Sequence, residues 1–91
     1  MNMTNFDETM QLFFDKLDIS PVNFNYNERN NYYISEPILY EDDPQNPFFI
    51  RIDMTNSIGT VKLGTSLDYI KFTEIDVLGQ VQYLNGKWAN I

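Results

Sequence analysis

The chain has 91 residues, with thirteen acidic and six basic side chains, a net charge of −7, and neither histidine nor cysteine. That composition removes the commonest general base and metal ligand and the thiol nucleophile, leaving carboxylates, hydroxyls and amides to do any chemistry. The charge also repels nucleic-acid phosphates and anionic membranes, and there is no Lys or Arg cluster of the kind phosphate binding requires.

With 43% hydrophobic and 15% aromatic residues the chain has enough apolar surface to fold as one domain spanning 1–91. The polar start from Met1 to Asn5 and the lack of a long apolar run lead to the expectation of a cytoplasmic protein that does not enter a membrane. A core this small gains from self-association, so a homodimer is an open alternative.

The first predicted element is a helix from about Asn5 to Asp18. Phe6, Met10, Phe13, Phe14 and Leu17 fall on one face at steps of three and four, with Asp7, Glu8, Gln11 and Asp15 facing outward. Asn5 followed by Glu8 reads as a capping-box start, and Ser20-Pro21 reads as the stop. Val22, Phe24 and Tyr26 then alternate with asparagines, residues 27–31 read as a turn, and Tyr32 to Ser35 resumes the alternation, so a hairpin is predicted.

After Glu36-Pro37 and Ile38-Leu39-Tyr40 comes Glu41-Asp42-Asp43-Pro44-Gln45-Asn46-Pro47, whose prolines and acids predict an exposed irregular loop. Phe48, Ile50, Ile52 and Met54 then alternate with Phe49, Arg51, Asp53 and Thr55, predicting a strand with the first set inward. A turn across Thr55 to Gly59 leads into a strand through Gly64, with Val61 and Leu63 inward.

The last third reads two ways. Leu67, Ile70, Val77, Val81, Leu84 and Trp88 have near-heptad spacing, with Thr65 or Ser66 to cap a helix and Asn85-Gly86 to end it. Ile70, Phe72, Thr73, Ile75, Val77 and Val81 equally favour strands, Gly79 weakens a helix, and Asn85-Gly86 is a strong two-residue hairpin turn. The helical reading is taken first and the strand reading stays open. Both give an α+β fold, with the N-terminal helix packed on an antiparallel β-meander.

Three groups of residues could carry chemistry. Glu41, Asp42 and Asp43 with Glu36 are hard oxygen donors, but their spacing lacks the glycine and distal glutamate of a calcium loop, so no metal and no cofactor is expected. Asp53 paired with Asp68 or Glu74 would suit acid and base work, yet nothing in the spacing sets them across a cleft, so no enzyme is expected. Tyr26, Tyr32, Tyr33 and Tyr40 near the acidic segment have the composition of a protein-binding face.

The order of helix, hairpin and strand across residues 5–55, with the low isoelectric point, loosely resembles the start of small acidic type III secretion chaperones. Residues 56–91 do not continue that pattern. By size and charge the chain is also similar to small acidic inhibitors made by phages and to toxin-immunity proteins. The second resemblance implies a nucleic-acid mimic that blocks a basic cleft of another protein, with no direct contact to nucleic acid; the first implies a dimer holding an extended client segment. The expected partner-binding residues are Glu36, Tyr40, Glu41, Asp42 and Asp43, with Tyr32 and Tyr33 beside them.

Overall fold

The computed structural model describes residues 4–40, 43–66 and 71–91, and among these the chain forms one helix and seven strands. Helix α1 spans Thr4–Leu17. Phe6, Met10, Phe13 and Phe14 are all at most 3% exposed, so the apolar stripe is the core face. Burying each such side chain contributes about 1.5–3 kcal/mol.

The helix stops before the proline. Asp18 adopts a left-handed φ of 55°, its N–H donates to the Asp15 carbonyl (3.1 Å), and the Ile19 N–H donates to the Phe14 carbonyl (3.0 Å). These two bonds make a Schellman cap that satisfies the last carbonyls. The expected cap at the other end is different: Asn5 lies inside the first turn and its side-chain oxygen accepts the Trp88 backbone N–H. Asn5 thus ties the helix to the last strand of the chain.

Strands β1 (Phe24–Asn27) and β2 (Tyr32–Ser35) form the predicted hairpin, pairing Phe24 with Ser35 and Asn27 with Tyr32. Strand β3 is Ile38–Tyr40, β4 is Asp43–Thr55, β5 is Ile58–Thr65, β6 is Thr73–Leu84 and β7 is Lys87–Asn90. They build one antiparallel sheet in the order β1-β2-β4-β5-β6-β7, with β3 also paired to β4. The sheet curls around α1, giving a small α+β single domain as the periodicities predicted.

Two expectations are corrected. The segment 41–47 is not loop throughout, because β4 starts at Asp43 and pairs with Tyr40. Ile38 pairs with Phe48, so residues 44–47 stand opposite Leu39 alone, and this irregular stretch absorbs both prolines where a missing N–H breaks no ladder. The last third is strand where described, with residues 67–70 outside the described set. Val81 and Trp88 are buried while Val77 and Leu84 are each half exposed, so these four positions do not share one face. Asn85 (φ 53°) and Gly86 (φ 77°) both have the left-handed conformation of a type I′ hairpin turn, which closes β6 onto β7.

Register divides the residues between two faces. Tyr33, Ile52, Val61 and Gly79 form one row toward the helix, and Ile34, Arg51, Lys62 and Val77 form a row on the outer face. Phe13 packs against Gly79, where an added Cβ would lie 3.0 Å from the ring. Trp88 closes the core between Phe6, Tyr33 and Tyr83, with ring centroids 5.1, 5.6 and 4.8 Å away.

Ser35 marks where β2 leaves β4. It is 4% exposed, its Oγ accepts the Ile50 N–H (2.9 Å), and it donates to the Glu36 carbonyl (2.9 Å). A side chain here stands in for a lost rung of the ladder, after which β3 takes over beside β4.

Candidate functional site

Two places in the fold gather polar groups. The first is on the outer face, where Arg51 and Lys62 are directly opposed across β4 and β5. Two cations in that position repel, and Asp53 offsets the repulsion by bridging them. Its carboxylate accepts from Arg51 Nη2 (3.0 Å), lies 2.9 Å from Arg51 Nε and sits 2.7 Å from Lys62 Nζ. Lys62 also lies 3.4 Å from Glu74.

The Arg51 guanidinium is held over two rings, 5.0 Å from the Tyr32 centroid and 4.5 Å from that of Phe72. Phe72 reaches this position because β5 has a glycine beneath it; a Cβ at Gly64 would lie 2.4 Å from the ring. Phe49, the cross-strand partner of Gly64, is only 5% exposed. Its expected outward, solvent-facing position is therefore corrected: this end of the outer face is sheltered where the Phe72 ring lies on Gly64.

The titration behaviour of the cluster follows from its contacts. Burial alone would raise the Asp53 carboxyl, but hydrogen bonds from Lys62 and Arg51, together with their charges, outweigh it and hold the group below its ordinary value. The bond to Asp53 raises Lys62 above the usual lysine range against the effect of burial, helped by the charges of Asp53 and Glu74. The Asp53 carboxylate is held ionised, the opposite of what a general acid at neutral pH needs. Asp53 and Glu74 are thus brought together as counter-ions of one lysine, and Asp68 lies outside the described residues.

Two acids and two bases cancel inside this cluster. The remaining eleven acids and four bases hold the whole negative excess elsewhere on the chain. Some of it borders the second place, a groove of about 570 Å³ between the helix exit and the start of β3. Its lining includes Asp18, Ile19, Val22, Ile38 and Leu39, and Leu39 is 59% exposed.

Glu36 stands next to lining residue Pro37 and is pinned to the helix-exit segment. Its N–H donates to the Asn23 carbonyl (2.9 Å), and its carboxylate accepts from the Asn23 side-chain amide (3.1 Å). From Leu39 the chain runs directly to Tyr40, whose backbone pairs with Asp43 at the hairpin tip. The side chains of Tyr40 and Asp43, and all of Glu41 and Asp42, lie outside the described residues.

The two other expected residues separate. Tyr33 faces the helix and packs against Phe6 (5.6 Å) and Tyr26 (4.6 Å), and its hydroxyl is raised first by burial and then by Tyr26 and Tyr83. Tyr32 lies on the opposite face under Arg51, and neither lines the groove. Asp18 was missed as a groove residue because only the capped turn brings it beside β3. Arg51 and Lys62 were legible in principle, since a two-residue turn at Asn56-Ser57 sets them opposite one another.

No protein-family model, curated protein or solved structure matches this chain, so its residues are read on their own chemistry. Among the described residues no helix is long and apolar enough to cross a membrane.

Proposed function

We propose that this chain is a non-enzymatic protein-binding module of inhibitor or immunity type, acting in the cytoplasm as a nucleic-acid mimic of the kind phages use against host defences or bacteria use against toxins. It blocks a basic cleft of another protein with the segment Tyr40-Glu41-Asp42-Asp43 and the nearby Glu36. The observation that carries this reading is the groove with Asp18 in its wall and Glu36 and the tip residues following on in the chain. Apolar side chains in the groove supply area for slow release, and the acids beside it speed encounter with a basic surface.

Two features support contact over turnover. The cluster of Arg51, Asp53, Lys62 and Glu74 is a self-compensated ion-pair network, and the described groove lining offers one carboxylate and one serine hydroxyl with no general base beside the hydroxyl. The test replaces Glu41, Asp42 and Asp43 together with serine and follows association with the partner recovered by low-salt affinity capture. The on-rate falls about tenfold and its salt dependence flattens if the tip steers docking. An unchanged on-rate and salt slope would count against the role. Salt-insensitive binding of an extended segment by a stable dimer would instead favour the chaperone-like alternative.

A further inference from the structure

Strand β6 is three times the length of β7, and the mismatch leaves part of it open. Residues 73–84 pair with β5 on one side, whereas β7 covers only Val81–Leu84 on the other, extended by the Ile91 N–H donating to the Gln80 carbonyl (3.1 Å). Among the described residues no strand lies along the free side of 73–79. Lys16 from α1 donates to the Leu78 carbonyl (3.1 Å), so a side chain meets this edge where a strand would otherwise be.

The open stretch exposes apolar area as well as backbone. Ile75 is 55% and Val77 50% exposed, and the register shift at Ile75 sets Glu74 and Val77 on the outer face and Asp76 on the other. An edge with this pattern is a template for strand addition. The two register shifts against β5, which make Ile75 and Leu78 the extra residues, twist it and narrow the strands it accepts.

Charge decides which strand fits. In antiparallel self-pairing, the register that sets Ile75 against Val77 of a second copy sets Asp76 against itself. Like charges directly opposed destabilise a ladder, and each copy carries a net −7 overall. Asp76 and the net charge therefore disfavour this chain as its own partner and favour a strand that carries a basic residue opposite Asp76.

We propose that the open edge of β6, residues 73–79, binds an extended polypeptide segment that carries lysine or arginine among β-branched apolar residues. The added strand extends the ladder beyond β7, with a basic side chain near Asp76 and its apolar ones near Ile75 and Val77. This surface is separate from the groove and hairpin tip and does not depend on them.

The test titrates the ¹⁵N-labelled chain with a synthetic peptide of alternating valine and lysine, and with its valine–glutamate counterpart, while following amide shifts and hydrogen exchange. Saturable shifts and slowed exchange confined to 73–79, with no response to the glutamate peptide, support the assignment. Binding then weakens at least about tenfold in the double variant Ile75→Lys with Val77→Lys. Both side chains are half exposed, so its urea midpoint, read by Trp88 fluorescence, stays near that of the parent. Absent or non-saturable shifts, protection at another strand, equal binding of the glutamate peptide, or a parent self-association that the double variant abolishes would each overturn it. The Glu41, Asp42 and Asp43 triple-serine variant keeps the same 73–79 protection, so failure of the tip and failure of the edge give different results.

Discussion

Replacing Ser35 with alanine removes one oxygen from a place where the sheet has no backbone substitute. Ser35 Oγ is the acceptor for the Ile50 N–H at 2.9 Å, and Ile50 is fully buried in the middle of β4. Beyond the Ile34 and Arg51 pair, β2 offers β4 no further rung, and β3 resumes pairing only at Phe48. In Ser35→Ala the Ile50 N–H therefore stays buried without an acceptor, at a cost of about 1–3 kcal/mol. The Glu36 carbonyl, which loses the Ser35 hydroxyl, belongs to an exposed residue and recovers a bond from water at little cost. A domain of this length has a total stability of about 5–14 kcal/mol, so the loss is a sizeable fraction of it.

For a domain of this size about 2 kcal/mol lowers Tm by roughly 8–16 °C. It also lowers the urea midpoint by about 1 M with an unchanged m-value. Trp88 is the single tryptophan, 6% exposed in the aromatic core, and it reports unfolding directly. Amide exchange at Ile50 quickens in parallel. A midpoint within about 0.2 M of the parent, with Ile50 protection intact, refutes the claim that this hydroxyl replaces a ladder bond.

Two further changes test other parts of the fold. Asp18→Gly relieves a left-handed φ of 55° that a Cβ disfavours and removes an acid from the negative end of α1, so stability rises by about 0.5–1 kcal/mol; a drop in Tm would contradict the cap assignment. Asp53 is held below its ordinary value, so its contribution is fully present above the unfolded carboxylate pKa and is lost as pH falls through the lower folded value. Because the group is partly solvated, that contribution is a few tenths to about 1 kcal/mol. Asp53→Asn therefore destabilises near neutral pH, and the gap to the parent closes as pH falls below the unfolded carboxylate pKa and through the lower folded one; a gap that stays constant across that acid range contradicts the bridging role. Lys62, raised by the same contact, loses its share at the alkaline end as pH climbs through its raised value.

Local pattern was enough for the helix and the first hairpin. The phenylalanine stripe of α1 has one way to be buried at 3.6 residues per turn, and the asparagines of 27–31 leave little but a turn between two alternating runs. It also placed Ile50 and Ile52 inward, because a period of two allows one face to be dry. Residues 73–84 show where it stopped: heptad spacing and strand preference coexist there, and pairing with β5 decided between them by satisfying the backbone of the whole segment at once.

The groove beside Asp18, the bridge of Asp53 between two cations and the bare edge of β6 were not written in any local stretch. Each depends on the register of strands distant in sequence, and register is set by which complete arrangement hides the apolar face while leaving the fewest buried polar groups unpaired. The amino-acid order by itself determined the elements, the sign of the charge and the lack of imidazole and thiol chemistry. Only the folded sheet decided which charges cancel against each other, which lie beside the groove, and which backbone groups remain open to a partner.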